Sequence, residues 1–229
     1  MAKRNKLQKF EQLNGFNNVF QNFNFEKPSL TGAHGEERDL KGKWAESHFE
    51  NDNPIVIELA CGRGEYSLAL AQQYPEKNFI GVDVKGARIW KGAGIALEKG
   101  LENVAFVRTR IEQLELFFGK GEISEIWITF PDPFLKKSKS NRRLTSEYFL
   151  KCYKRMLKDD ALCHLKTDNT MLYEFSLEIF EEQGIKVNYK SADIYSGPLF
   201  IPELEYQTYY EKMHLEKKLK IKYIQFVID

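Results

Sequence analysis

One acidic residue, Asp132, stands between two prolines at the end of a short apolar run, in the sequence FPDPF over residues 130–134. Each proline restricts the backbone beside it, so the carboxylate is held rigidly. A rigid carboxylate next to aromatic rings suits a flat nucleobase, which can be hydrogen-bonded along one edge and stacked on its face. An isolated PDP is more often an Asx turn that closes a strand. Its place after the fourth predicted strand favours a functional site.

A basic run begins three residues after Pro133 and carries five cations within eight positions. Its residues are Lys136, Lys137, Ser138, Lys139, Ser140, Asn141, Arg142 and Arg143. The whole chain has a net charge of only +1, so a polyanion has to bind through a local patch of this kind. A charge run is usually a solvated loop, but its place beside Asp132 favours RNA phosphates as its partner. Replacing Arg142 or Arg143 by alanine is predicted to weaken RNA binding and to lower its salt slope by about 1.

Two acids and two glycines indicate a nucleotide-type cofactor site. An apolar run carries Glu58 near its end and leads into a turn with Gly62 and Gly64, and a second apolar run ends in Asp83. Glycines let a ligand approach the backbone, and an acid at the second strand end can bind the ribose of an adenosine ligand. The turn reads AxGxG after an acid, which favours the cationic S-adenosylmethionine over the pyrophosphate of NAD. NAD, another nucleotide and a turn with incidental glycines stay open.

Short strands that alternate with helices have to position these residues. The predicted strands are 54–60, 78–84, 104–109, 125–130, 161–166, 185–189 and 220–228, and the predicted helices are 65–73, 87–99, 145–157 and 170–183, with a short turn near 111–117. This alternation predicts a mainly parallel, doubly wound sheet with helices on both faces, closed by an antiparallel hairpin. Ligands bind at the carboxyl ends of the strands in such sheets, where the acids and glycines lie.

The first 52 residues show no sustained period, and we expect an irregular or partly disordered basic extension there, followed by one domain over residues 53–229. Its cations Lys3, Arg4, Lys6 and Lys9 form a second, weaker candidate patch. No apolar run approaches the ~20 residues of a membrane span. The three cysteines form no CxxC pair, which predicts reduced thiols in a cytoplasm. The four histidines form no metal-binding pattern, so we expect no metal.

Six motifs occur in a characteristic order: ELACGRG (58–64), GVD (81–83), FPDPF (130–134), the basic run followed by LT (136–145), KTDN (166–169) and TYYE (208–211). Together they resemble the bacterial tRNA (guanine-N7)-methyltransferases, over residues 55–229. The resemblance implies a seven-stranded class I methyltransferase (Rossmann-like) fold. It also implies methylation of N7 of guanine-46 in the tRNA variable loop with S-adenosyl-L-methionine. We expect tRNA as the partner, no membrane, and a monomer or a homodimer.

The resemblance also assigns roles to single residues. Cofactor contacts fall on Glu58, Gly62, Gly64, Asp83, Arg110 and Asp132. Asp132 is the catalytic acid as well. Substrate and tRNA contacts fall on Lys136, Ser138, Lys139, Ser140, Asn141, Arg142, Arg143, Asp168, Thr208, Tyr209, Tyr210 and Glu211. On the residues alone, Asp168 is equally well explained as the N-cap of the next helix.

Three positions depart from the family pattern. Ala60 replaces the first glycine of the turn, and its methyl group should be tolerated. Arg110 stands where an acid usually accepts a hydrogen bond from the adenine amino group. Arginine has only donors and cannot accept this bond. Either the main chain at Arg110 makes this contact or Glu112 takes its place. Phe134 replaces a common tryptophan and preserves stacking.

Three rival functions remain open. An amino-methyltransferase that acts on an exocyclic base nitrogen usually has the order (N/D)PP(Y/F), whereas here one proline precedes Phe134. An RNA-binding module that has kept the fold without the reaction is supported only by Ala60 and Arg110. A small-molecule methyltransferase is disfavoured by the basic run. Identification of the methylated atom and calorimetry with S-adenosylmethionine separate these readings.

Overall fold

The computed structural model describes residues 6–228, and ten strands of that part of the chain form one sheet. The strands are β1 (Val19–Gln21), β2 (Leu30–Thr31), β3 (Glu37–Arg38), β4 (Ile55–Leu59), β5 (Asn78–Asp83), β6 (Val104–Arg108), β7 (Ile123–Thr129), β8 (Leu157–Thr167), β9 (Lys186–Ser191) and β10 (Lys222–Val227). The α-helices are α1 (Lys6–Leu13), α2 (Glu65–Gln73), α3 (Gly86–Glu98), α4 (Glu147–Lys154), α5 (Thr170–Glu182) and α6 (Tyr209–Glu216). Short 3₁₀ segments include Ile111–Leu116, Lys137–Arg142 and Pro202–Glu205.

The strand order is β3-β2-β1-β6-β5-β4-β7-β8-β10-β9. The neighbours from β1 through to β8 pair in parallel, and β10 is antiparallel to both β8 and β9. Strands β4 to β10 are the seven that the sequence predicts, so the mainly parallel sheet with a terminal antiparallel pair is confirmed. The order reverses between β4 and β7, which places the ligand crevice of this fold where these two strands end.

Alternating side chains of the strands bury two apolar clusters, one on each face of the sheet. Phe106 on β6 belongs to the cluster that contains residues of α2 and α3, whereas its neighbour Val107 belongs to the cluster that contains residues of α4 and α5. Helices therefore cover both faces, as the alternation of elements predicts. Within residues 6–228, no helix is long and apolar enough to cross a membrane.

From residue 53 onward, the helices follow the predicted ranges with two differences. Helix α4 ends at Lys154, earlier than predicted, because the chain already enters β8 at Leu157. Helix α6 was not predicted at all. Helix α5 begins after Asn169, whose side chain accepts a hydrogen bond from the Leu172 N–H at 2.9 Å. The N-cap of α5 is therefore Asn169, and Asp168 does not have this role.

The prediction of an irregular extension over residues 1–52 is wrong for residues 6–52. This part of the chain folds onto the sheet and adds three strands to it. Strand β1 pairs in parallel with β6, and Trp44 is completely buried, with its indole Nε1 donating to the Phe117 carbonyl at 2.9 Å. The elements are only two to eight residues long, too short to leave a readable period. The predicted patch residues Lys3 and Arg4 lie outside the described residues.

Candidate active site

The turn after β4 has the conformation that its glycines predict. Gly62 and Gly64 both have positive φ, at 59° and 64°, and a Cβ atom at Gly64 would lie 2.3 Å from the Phe106 ring. The Gly62 N–H donates to Asp83 Oδ2 at 2.9 Å, which ties the turn to the end of β5. Ala60 also has a positive φ, 56°. Its methyl group is tolerated in a conformation that costs about 1 kcal/mol for an L-residue.

Glu58 lies buried beneath this turn and joins three elements. Its Oε2 accepts hydrogen bonds from the Ser67 N–H at 3.0 Å and the Ser67 hydroxyl at 2.6 Å, and its Oε1 accepts from the Thr129 hydroxyl at 2.8 Å. Burial raises the pKa of Glu58 to about 7, although these hydrogen bonds oppose the shift. The carboxyl group therefore ionises near neutral pH.

A cavity of about 210 Å³ opens at the switch point of the sheet. Its walls come from the ends of β4 and β7 and from the start of α6. They include Glu58, Ala60, Cys61, Gly62, Arg63, Glu65, Thr129, Phe130, Thr208, Tyr209 and Tyr210. The structure thus brings the predicted cofactor turn and the late TYYE motif to one cavity. Asp83 touches this site through its bond to Gly62.

Asp132 is exposed on the loop that leaves the cavity wall at Phe130. Its Oδ1 accepts a hydrogen bond from the Phe134 N–H at 3.0 Å. The Asx turn that is usual for an isolated PDP sequence is therefore present. Phe130 and Phe134 have φ angles of 49° and 42°, unusual for residues with a side chain. Strained backbone of this kind concentrates at functional sites. The turn and a role in the site are therefore compatible.

The basic run divides into an exposed part and one buried residue. Lys136, Lys137, Ser138, Lys139, Asn141 and Arg142 are exposed, and Ser140 is half-buried. Arg143 is only 5% exposed, and it donates from Nε to the Pro133 carbonyl at 3.0 Å and from Nη2 to the Phe134 carbonyl at 3.1 Å. The phosphate contact predicted for Arg143 stays a prediction, but here the residue is buried and two of its donors bond to the protein itself.

The KTDN and TYYE motifs meet behind the cavity. Lys166 and Glu211 are both completely buried, with 2.9 Å between Nζ and Oε2, and the Tyr195 hydroxyl donates to Glu211 Oε1 at 2.7 Å. Glu211 has no exposed surface in this structure, so the substrate contact predicted for it stays a prediction that its buried position disfavours. Thr208 caps α6 by accepting from the Glu211 N–H at 3.2 Å. Within the TYYE motif, the two tyrosines Tyr209 and Tyr210 are exposed, at 56% and 45%.

Asp168 stays at the site, beside a residue that the sequence analysis missed. Its Oδ2 lies 3.6 Å from Nδ1 of His214, and the His214 ring stacks on Phe130 with 5.8 Å between centroids. His214 belongs to α6, so only recognition of that helix could have placed it here. A partly exposed acid and an imidazole thus flank the base of the Asp132 loop.

Arg110 does not line the cavity. It is exposed, and its guanidinium lies 4.1 Å from the ring centroid of Phe25, which follows β1. Asn22, also after β1, donates to the Thr109 hydroxyl at 3.1 Å. Glu112 is exposed as well. The end of β6 is therefore covered by a segment that the sequence analysis treated as irregular.

Comparison with known proteins decides the family. A family model described as "Putative methyltransferase" matches residues 52–223. A tRNA (guanine-N(7)-)-methyltransferase of Christiangramia forsetii is 46% identical over 229 residues, which are 100% of both chains. One of Bacteroides fragilis is 44% identical over 225 residues, 98% of this chain and 86% of the relative. The chain belongs to the tRNA (guanine-N(7)-)-methyltransferase family.

Solved structures support the fold of this methyltransferase family member. The 16S rRNA methyltransferase KamB superposes with a TM-score of 0.64 at 14% identity, covering 85% of this chain and 96% of that one. A SAM-dependent methyltransferase from Aquifex aeolicus gives a TM-score of 0.53 at 15% identity, with coverages of 77% and 82%. At these identities the likeness shows the class I methyltransferase fold alone.

The residues present at the site fit an adenosine cofactor that carries positive charge. Open space surrounds the position that a Cβ atom at Gly62 would take, so a ligand can approach the backbone there. Glu58 and Glu65 line the cavity. The Gly62 N–H donates to Asp83 and is therefore not available to bind a phosphate. Among residues 6–228, no group of three or more His, Cys, Asp or Glu could hold a metal ion.

Proposed function

We propose that this chain transfers the methyl group of S-adenosyl-L-methionine to N7 of guanine-46 in the variable loop of tRNA. The observation that carries the proposal is the meeting of two segments at the β4–β7 switch point. The acid-lined glycine turn ends one strand, and the Asp132 loop with its exposed cations follows the other. Membership of the family and the names of its relatives agree with this chemistry.

The charges of the cavity favour S-adenosylmethionine over NAD. The ammonium and sulfonium of the former are cationic, and Glu58, Glu65 and Asp83 provide acidic groups around the turn. A pyrophosphate would need main-chain N–H donors at the turn, and the Gly62 N–H is already bonded to Asp83. Asp83 is the group that would hold the ribose hydroxyls, and Gly62 allows the close approach of the cofactor.

The chain has to position guanine and has no need to activate it. When bound, S-adenosylmethionine supplies an electrophilic methyl group on its sulfonium. Guanine N7 has a free lone pair at neutral pH, so no residue is required as a base, and orientation provides most of the acceleration. The guanine ring gains positive charge as N7 is methylated. The Asp132 carboxylate would hold the edge of the base and stabilise this developing charge.

The exposed residues around the cavity suit an RNA substrate. Lys136, Lys137, Lys139 and Arg142 offer cations for phosphates. Tyr209 and Tyr210 offer exposed rings, on which an unpaired base can stack. The three cysteines are buried free thiols, and with a tRNA substrate they agree with a cytoplasmic protein.

Methyl transfer to tRNA transcripts tests the proposal. We expect an unmodified transcript with guanine at position 46 to yield 7-methylguanosine on nucleoside analysis. A matched transcript with 7-deazaguanine at that position has no N7 lone pair and should accept no methyl group. Methylation of an exocyclic nitrogen instead would establish the amino-methyltransferase reading. Cofactor binding without transfer to tRNA would exclude the proposed reaction.

A further inference from the structure

Arg143 differs from the other cations of the basic run by its place inside the protein. It is 5% exposed, whereas Lys136, Lys137, Lys139 and Arg142 are exposed. A guanidinium is seldom buried unless its donors are satisfied. Here the carbonyls of Pro133 and Phe134 accept hydrogen bonds from two of these donors, Nε and Nη2, at 3.0 and 3.1 Å. Both carbonyls belong to the loop that carries Asp132.

This loop needs an external support. Phe130 and Phe134 adopt positive φ angles of 49° and 42°, which residues with a Cβ atom avoid. Such a conformation persists only when surrounding contacts stabilise it. Within the loop, the Asp132 carboxylate accepts the Phe134 N–H, which orients its Oδ1. Hydrogen bonds from a charged donor to the two carbonyls on either side of this amide fix its peptide groups from outside.

The other side of the Arg143 guanidinium is anchored in helix α5. Its Cζ lies 4.3 Å from the ring centroid of Phe175. Two residues further on, the hydroxyls of Thr145 and Ser176 are 2.7 Å apart and completely buried. The arginine therefore spans from a rigid helix to the strained loop, and a planar, forked group is what reaches both carbonyls while stacking on a ring.

We propose that Arg143 is a positioning residue, which fixes the Asp132 carboxylate for the target base and makes no contact with RNA phosphates. The basic run then has two functions, because residues 136–142 face the substrate and Arg143 faces the loop. The inference rests on the proposed function for the identity of the reaction, whereas the support of the loop is a property of the free protein.

Lysine substitution separates charge from geometry at this position. Arg143→Lys keeps the positive charge but removes the fork that bonds two carbonyls. We expect its kcat for tRNA methylation to fall at least about tenfold, with KM for tRNA within about twofold and an unchanged salt slope, because the carboxylate is displaced while RNA contacts remain. The matched variant Arg155→Lys, at an exposed arginine outside the site, should behave as wild type. Arg142→Ala should raise KM and lower the salt slope by about 1.

Hydrogen exchange gives a readout that is independent of the reaction. In the free protein, Arg143→Lys should speed exchange of the Phe134 amide, while amides of β4 and β7 keep wild-type rates. Phe175→Leu, which removes the stacked ring and retains an apolar side chain, should change kcat and exchange in the same direction to a smaller extent. This second variant serves if Arg143→Lys folds poorly.

The outcomes distinguish the two proposals. An Arg143→Lys enzyme with wild-type kcat and wild-type exchange at Phe134 would overturn the positioning role. So would a salt slope that falls for Arg143→Ala as it does for Arg142→Ala, because that result would return Arg143 to the phosphate path. If the wild-type chain methylates no tRNA, the proposed function fails, and the exchange measurement still decides whether Arg143 fixes the loop.

Discussion

Asp132 combines a turn and a charge, and the two can be separated by one substitution. Its Oδ1 accepts the Phe134 N–H at 3.0 Å, and an asparagine amide oxygen can accept the same bond. Asp132→Asn should therefore keep the loop and remove the negative charge that stabilises a cationic guanine. We expect turnover to fall roughly 10²-fold in single-turnover methylation at saturating cofactor, with cofactor binding followed separately by calorimetry. Turnover near wild type would remove Asp132 from this role.

The ionisation of Glu58 should contribute to the pH dependence of stability. Its folded pKa of about 7 exceeds the value of 4.5 for a free side chain, since burial is the largest cause and Glu65 adds repulsion. The folded protein therefore binds a proton more tightly than the unfolded chain between these values. The resulting stabilisation is present below about pH 4.5 and is lost as pH rises towards 7.

Glu58→Gln tests this linkage because glutamine is neutral at every pH. The unfolding free energy of the wild type should fall relative to Glu58→Gln between pH 5 and pH 8, by about 3 kcal/mol if the full shift is realised. Urea denaturation at a series of pH values measures the difference. Two parallel pH profiles would show that Glu58 does not titrate in this range.

Helix α6 depends on a buried ion pair for its position over the cavity. Lys166 on β8 donates to the carbonyls of Leu204 and Tyr206 at 3.1 and 3.0 Å and lies 2.9 Å from Glu211. Burial lowers the pKa of Lys166, and the Glu211 carboxylate opposes this shift. The pair thus joins the segment before α6 and its first turn, which carries Tyr209 and Tyr210, to strand β8.

Removing one charge of this pair should destabilise the whole element. Glu211→Gln leaves Lys166 buried without its counter-charge, and we expect a loss of about 3–5 kcal/mol in unfolding free energy. Glu216→Gln, at the exposed end of the same helix, is the control and should change little. A Glu211→Gln protein with wild-type stability and weaker tRNA binding would instead support the substrate contact that the family resemblance assigns.

The same helix explains where the sequence was insufficient. Strands β4 to β8 were predictable because buried parallel strands appear as continuous apolar runs bounded by glycines and acids. In α6 the usual pattern is reversed, since Glu211 is buried by its ion pair and Tyr209 and Tyr210 are exposed. Arg143 is an equivalent case within the site, because nothing in the run KKSKSNRR distinguishes a buried arginine from its exposed neighbours. Both depend on partners distant in the chain.

At the scale of the whole molecule, the N-terminal part completes the sheet that carries the site. Strand β1 extends the parallel sheet beyond β6, and Phe25 and Asn22 cover the end of β6 beside Arg110 and Thr109. Trp44, also in the N-terminal part, stacks on Phe118 with 5.3 Å between ring centroids. Because these contacts connect residues 6–52 with the methyltransferase fold, we expect both to unfold together.

Trp44→Ala tests whether the N-terminal part belongs to the same cooperative unit. The substitution removes a completely buried ring, its edge contact with Phe20 at 5.1 Å and its hydrogen bond to Phe117. We expect a loss of about 3–5 kcal/mol in a single unfolding transition, followed by both tryptophan fluorescence and far-ultraviolet circular dichroism. Leu7→Ala, at a side chain that is 79% exposed in α1, should change stability by less than about 0.5 kcal/mol. If Trp44→Ala instead produced a separate early transition and left the main one unchanged, residues 6–52 would form an independent appendage, and the cover over the end of β6 would be dispensable for the fold.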